Sequence, residues 1–388
     1  AKSRLRSRGA PPSLASRIPL RDAAASKLAE APARVAFSMG LIADVQYADV
    51  PDGVNHDKSC RRHYRGALAA LGRAVEYWRS QPRPPDCVAQ LGDLIDGQNQ
   101  ANGQSQAALG AALKLLDRLN VVSLVGNHEL QNFNRAELAE RMRPKPFYHS
   151  FKPGAGWVAI VLDSYQLSVH GWPQDDPRHV EAERLLAAHN PNDLGAAGVN
   201  WMKGLKGAAR RWVPFNGGFG EEQLRWMKGE LRDAAEQKER VIVLSHAVLS
   251  PQACDGTCMA WDFKEALALV RGSSAVALVV CGHDHKGGYH CDRGVHHLTL
   301  RSPLNEPASE AFGTLHALGD RLELRGPSLA HLLPLESCGG SSGGQTGPAQ
   351  LLTLDLKPLG SGPARVLLLR HGESVSNAAG DHSMENPR

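Results

Sequence analysis

Two features of the chain predict an α/β fold. Apolar runs rich in strand formers alternate with stretches whose apolar residues recur at three- and four-residue spacing, and each run ends in a short polar cluster. Alternating strands and helices argue for a largely parallel sheet covered on both faces, and ligands of such sheets gather at the carboxyl ends of the strands. The chain has 388 residues, room for two or three domains of about 100–200 residues each.

The first strand is read over 35–43 (VAFSMGLIA), ending at Asp44. The same pattern recurs four times: 86–91 runs into Gly92-Asp93, 120–125 into Gly126-Asn127-His128-Glu129, 240–244 into Ser245-His246, and 275–281 into Gly282-His283-Asp284-His285. Helices are expected between them over 61–79, 105–119, 221–238 and 262–271. Short strands at 296–300, 313–317 and 322–325 are expected to complete a second sheet. Gly, Ser and Pro dominate 334–363, which reads as a linker closing a domain over 35–333.

Composition narrows the function classes. Hydrophobic residues are 42%, charged residues 22% and mean hydropathy is −0.32, the profile of a soluble, folded, intracellular chain with no apolar run long enough to span a bilayer. The net charge of +4 is local, because the first 21 residues hold six basic side chains and no acidic one. Global charge therefore gives no basis for a nucleic-acid partner. Residues 1–34, rich in Arg, Ser and Ala, are expected to be disordered or transit-like, which allows the cytoplasm or an organelle such as a plastid or mitochondrion. The seven cysteines form no C-x-x-C pair and are read as reduced. A monomer is assumed.

Asp44, Gln46, Asp93, Asn127, His246, His283 and His285 are candidate metal ligands, since carboxylate, amide and imidazole donors together suit Mn²⁺, Mg²⁺, Fe or Zn²⁺. Seven ligands exceed the needs of one ion. Two ions roughly 3.5–4 Å apart, sharing a carboxylate, would use them all and would clamp both oxygens of a phosphoryl displacement.

The ordered set Asp44-x-Gln46, Gly92-Asp93, Gly126-Asn127-His128-Glu129, His246 and Gly282-His283-x-His285 resembles the calcineurin-like metallophosphoesterase superfamily. The longer strings GLIADVQYAD (40–49), CRRHYR (60–65), AHNPN (188–192), FNGGFGEEQLRWM (215–227), CMAWDFKEAL (258–267), GHDHKGGY (282–289) and AFGTLHA (311–317) are similar to the manganese-dependent ADP-ribose/CDP-alcohol diphosphatases, over roughly 35–330. The resemblance implies an αββα sandwich of two mixed β-sheets flanked by helices. It implies two divalent ions, Mn²⁺ preferred and Mg²⁺ possible, one on Asp44, Gln46, Asp93 and His285, the other on Asp93, Asn127, His246 and His283. His128 would be the general acid, with Glu129 or a nearby carboxylate holding its imidazole.

Most of the superfamily has His where Gln46 stands, and the neutral, harder amide oxygen is expected to move preference from Zn²⁺ toward Mn²⁺ or Mg²⁺. Arg61 and Arg62, at the start of a helix, are candidates for holding a second phosphate. Asn216 and Gly217 are candidates for a base or ribose contact, and by resemblance Cys258 lies near the base. The expected reaction splits a nucleotide diphosphate into a nucleoside monophosphate and a phosphomonoester. Its alternatives are a phosphomonoesterase or cyclic-nucleotide phosphodiesterase on the same site and, more remotely, a non-catalytic scaffold. Finally, VLLLRHGES (366–374) resembles the opening motif of the histidine phosphatases, so 364–388 is read as the truncated start of such a domain.

Overall fold

The computed structural model describes residues 34–55, 58–142, 147–306, 308, 310–334 and 351–359. The expectations for 1–33 and 364–388, and most of the proposed linker, lie outside the described residues.

The strands in chain order are β1 (Phe37–Ile42), β2 (Gly53–Val54), β3 (Arg61–Arg62), β4 (Cys87–Gln90), β5 (Val121–Ser123), β6 (His149–Gly154), β7 (Trp157–Val161), β8 (Arg240–Ser245), β9 (Val276–Cys281), β10 (Gly288–Asp292), β11 (Val295–Thr299), β12 (Gly313–Ala317), β13 (Arg321–Arg325) and β14 (Leu351–Asp355). Twelve of them form two six-stranded sheets, ordered β14-β13-β12-β1-β4-β5 and β10-β11-β9-β8-β7-β6. Both sheets are mixed. β1, β4 and β5 run parallel in the first, and β7, β8, β9 and β11 run parallel in the second, with antiparallel strands outside them.

Side-chain alternation sets the layers. Phe37, Met39 and Leu41 of β1 face Trp157, Ile242, Leu244 and Val280 of the other sheet in one core. Ile42 and Val88 turn the other way, onto Leu71, Val75 and Trp78 of the Tyr64–Ser80 helix and Leu109 of the Ser105–Leu116 helix. Val241 and Val243 pack on Met227, Leu231, Phe263 and Val270 of the Gly220–Glu236 and Phe263–Gly272 helices. The molecule is thus an αββα sandwich, and burial on both faces explains why the central strands read as continuous apolar runs. No helix among the described residues is long and apolar enough to cross a membrane.

Three expectations are corrected. Strands 313–317 and 321–325 do not join the second sheet; β12 pairs antiparallel with β1, and β13 pairs with β12, because Leu315, Leu322 and Leu324 fill the shared core beside β1. Periodicity identifies a strand without naming its neighbour. The helix expected from Arg61 begins at Tyr64, and Arg61–Arg62 instead pairs with Gly53–Val54. The buried stripe Tyr64, Ala67, Leu71, Ala74, Val75, Trp78 starts only there. The linker expectation fails at Leu351–Asp355, which extends the first sheet by pairing with β13 while Leu354 is buried in the core.

Asp262 ties the second helical layer to the loop before it. Its carboxylate accepts the N–H groups of Phe219 and Gly220, at 3.0 and 2.8 Å, where the Gly220–Glu236 helix begins. Burial pushes that carboxyl up to about 6 against those two bonds. An acid raised in the folded state binds more protons there than when unfolded, so its contribution is greatest below the unfolded value of 3.8 and is lost as pH rises through about 6. Urea midpoints of wild type and Asp262→Asn, compared between pH 4 and 7, should shift in favour of the variant as pH rises. Parallel curves would exclude a raised Asp262.

Candidate metal centre

Every predicted ligand follows a parallel strand: Asp44 and Gln46 follow β1, Asp93 follows β4, Asn127 follows β5, His246 follows β8, and His283 and His285 follow β9. Two strand ends from each sheet or more therefore meet on one rim. The backbone there is unusual. Asp44, Gln46, Asp93 and His283 have φ of 53°, 48°, 55° and 68°, a left-handed region that typically costs a non-glycine residue about 1–3 kcal/mol. The turns hold one another, with Asp44 N–H donating to Gly92 O at 3.1 Å and Gln46 N–H to Asp93 O at 2.8 Å. Gly126 has to be glycine, because a Cβ there would stand 2.1 Å from Asp93 Oδ1.

Donor atoms of Asp44, Asp93, His246 and His283 all lie within 4.8 Å of one another, and all four residues are buried. His246 Nε2 is 3.4 Å from Asp93 Oδ2 and 3.0 Å from His283 Nδ1. His285 Nε2 stands 3.6 Å from Asp44 Oδ1 and 2.9 Å from Gln46 Nε2, which is itself 3.2 Å from Asp93 Oδ2. Asn127 is buried at the first position of the Asn127–Asn132 helix, where its amide oxygen accepts the Tyr165 hydroxyl at 3.2 Å. The structure thus draws all seven candidates to one rim, with Asp93 at the centre of the contacts.

The donor set fits divalent cations. Asp44 Oδ1 is buried without a hydrogen-bond partner, an expensive condition that a cation would remove. Protonation is contested throughout the cluster. Burial, strengthened by Asp93, raises Asp44. Asp93 ends below the carboxylate range although burial opposes it, because His246 and His128 favour its anion. Burial likewise opposes charge on His246, but Asp93 raises it. Burial, then His246, pushes His283 far down, and burial, then Arg62, brings His285 to about 3. The neutral imidazoles of His283 and His285 beside buried carboxylates are donors that hard-to-borderline divalent ions take.

His128 reaches the same centre from the side. Its Nδ1 accepts the Gly97 N–H at 2.8 Å, so the neutral ring carries its proton on Nε2, which lies 3.9 Å from Asp93 Oδ2. The carboxylate beside Nδ1 is Asp96, 3.7 Å away with Oδ2 buried and unpartnered. Sequence reasoning missed Asp96, although it stands three residues after Asp93 in GDLIDG (92–97).

Glu129 does not hold the imidazole. Its Oε2 accepts the N–H groups of Asp93 and Gly126, both at 2.8 Å, and its Oε1 accepts those of Leu94 and Ile95 at 2.6 and 3.2 Å.

The substrate-side expectations divide. Arg62 is partly buried and points Nη1 at Gln46 Oε1, 3.5 Å away, so it borders the cluster. Arg61 is exposed and lies 3.6 Å from Asp52, away from it. Asn216 is fully buried, and its amide is committed to His283 and to the carbonyls of Arg211 and Thr257, which leaves nothing for a base or ribose. Gly217 is also buried; a Cβ there would stand 2.5 Å from Ser164 O, so its missing side chain admits backbone and not ligand. Cys258 is partly exposed next to Thr257, with burial pushing its thiol well up. Phe215, unremarked in the sequence, packs edge-on against the His283 ring at 5.8 Å.

Comparisons with known proteins identify what the chain is similar to. The family model described as calcineurin-like phosphoesterase matches residues 38–287. A Homo sapiens protein named manganese-dependent ADP-ribose/CDP-alcohol diphosphatase is 37% identical over 312 residues, 75% of this chain and 90% of its own. One of the same name from Arabidopsis thaliana is 37% identical over 298 residues, 75% of this chain and 94% of its own. The crystal structure of a dimetal phosphatase from Danio rerio is similar at a TM-score of 0.73 and 34% identity, over 84% of this chain and all of that one.

The Glu129 bonds carry a prediction. Glu129→Gln turns one acceptor into a donor facing backbone N–H groups, which should lower stability by about 1–3 kcal/mol. Bound metal should fall with it. A urea midpoint and a metal content both equal to wild type would show that the clamp does not hold the loops.

Proposed function

The chain belongs to the calcineurin-like phosphoesterase family, and from that premise we propose that it is a manganese-dependent hydrolase of ADP-ribose-like and CDP-alcohol-like diphosphates. The observation that carries the reading is the buried cluster of Asp44, Asp93, His246 and His283, with Gln46 and His285 against it. Asp44, Gln46, Asp93 and His285 are assigned to one ion and Asp93, Asn127, His246 and His283 to the other, with Asp93 shared. The substrate class is supported by the printed names of relatives that align over nine-tenths of their own length.

Gln46 has a specific requirement. Its Nε2 now faces Asp93 and His285 while Oε1 faces Arg62, so ligation through oxygen needs the amide turned by half a revolution. Amide nitrogen and oxygen have nearly the same shape, and a cation facing the pocket selects the oxygen-inward form.

Two divalent ions supply Lewis acidity toward phosphate oxygens and a water ionised near neutral pH. The protein's own residues do the rest. As the imidazolium, with a proton on each ring nitrogen, His128 gives the Nε2 proton, which faces the cluster, to the departing phosphate oxygen and is left as the neutral ring. Asp96, 3.7 Å from Nδ1, favours the imidazolium from which this transfer starts. Arg62, on the rim, offers its guanidinium to the second phosphate, a group that a phosphomonoester lacks. Phe215 borders the His283 side.

A steady-state assay with ADP-ribose, CDP-choline and p-nitrophenyl phosphate should show Mn²⁺-dependent release of AMP and CMP well ahead of monoester cleavage. Equal turnover of the monoester would reassign the site to a phosphomonoesterase. His128→Ala should lower kcat by about 10²–10⁴ with bound metal unchanged. Wild-type turnover in that variant would remove His128 from the proton transfer.

A further inference from the structure

We propose that Asn216 is the positioning residue of the second metal site, fixing the tautomer and direction of the His283 imidazole. The inference rests on the reading of His283 as a ligand of the second ion.

Asn216 is fully buried. Its Nδ2 donates to Arg211 O at 2.7 Å and to Thr257 O at 2.6 Å. Both protons of the amide are thereby engaged, and two carbonyls cannot accept from an oxygen, so the amide has one allowed orientation. Its Oδ1 is then held 2.7 Å from His283 Nε2. An amide oxygen only accepts, so Nε2 must carry the ring proton. Nδ1 is left as the lone-pair nitrogen, and it is Nδ1 that stands 3.0 Å from His246 Nε2 inside the cluster.

The rest of His283 is fixed by other groups. Its backbone N–H donates to Asp44 Oδ2 at 2.8 Å, its backbone is left-handed, and Phe215 packs against the ring. None of these selects the tautomer, because none of them touches a ring nitrogen. Partners that hold the far nitrogen of a ligating imidazole orient it and raise its basicity, and their loss typically lowers metal affinity by about 10–100-fold.

The test is a Mn²⁺ titration of the full chain, read as free Mn²⁺ by electron paramagnetic resonance, with folding checked by urea denaturation. Wild type should bind two ions. Asn216→Ala should weaken the second ion by about 10–100-fold and leave the first near wild type. Asn216→Asp keeps an acceptor for His283 but sets an oxygen against the Arg211 and Thr257 carbonyls, so it should lose more stability than the alanine variant while keeping the second ion. Added charge would strengthen both ions, whereas orientation acts on the second alone. The proposal is overturned if Asn216→Ala binds both ions as wild type does, or if Asn216→Asp loses the second ion as fully as Asn216→Ala. A wild-type chain that binds fewer than two ions would overturn the two-metal reading itself.

Discussion

The metal centre depends on a carboxylate that is not one of its ligands. Glu129 is fully buried, and its two oxygens take four backbone N–H groups, three from the loop after β4 and one from the turn after β5. Burial, then the neighbouring Asp93, pushes its carboxyl up, and the N–H groups oppose them. Four such donors in a low-dielectric interior are what allow an anion to stay there. The result is mechanical. The Asp93 turn and the Gly126 turn are locked together, and Asp93 Oδ1 receives the His128 N–H at 2.9 Å across that junction.

This lock explains how the rim tolerates its backbone. Four candidate ligands in the left-handed region would each relax toward ordinary φ if the chain were free. They are held by bonds that cross between strands. Gln46 and Asp44 are tied to the β4 loop, His283 to Asp44, and the Ser302 hydroxyl to Asp44 O at 2.7 Å. Strain at the site is thereby balanced by regular pairing in the sheets below it, which is why the ligands can sit on loops and still be placed to fractions of an ångström.

Much of this was legible in the sequence, and the limit has a physical form. A buried parallel strand that stops at a polar residue is written locally, so Asp44, Asp93, Asn127, His246 and His283 could be found from their own neighbours. A residue whose partner lies far along the chain carries no such mark. Asn216 bonds His283 from 67 positions away and Thr257 from 41, and in sequence it reads only as a turn before two glycines. Glu129 stands beside His128 and adjacency offers it, or a nearby carboxylate, as the partner of that ring, whereas the fold turns it toward a loop 34–36 residues earlier. Leu351–Asp355 follows a Gly- and Ser-rich stretch whose composition masked a strand that only β13 completes. Asp96 was the exception: its spacing from Asp93 was local and could have been read.

The loop that holds Asp255 and Thr257 is tied to the metal side by hydrogen bonds. Asp284, between the two histidines after β9, accepts the N–H of Asp255 at 2.9 Å, and Thr257 in the same loop accepts from Asn216. Phe215 precedes Asn216 and packs against the His283 ring, and Cys258 follows Thr257, so both are joined to that imidazole through Asn216. A shift of Asn216 or Thr257 must then move His283 or break a buried hydrogen bond, which costs about 1–3 kcal/mol. Arg62 stands on the two-residue pairing with Gly53–Val54, where it meets Gln46 and its charge also acts on His285. The loop that holds Thr257 is therefore bound to the geometry of His283, and Arg62 to that of Gln46 and His285.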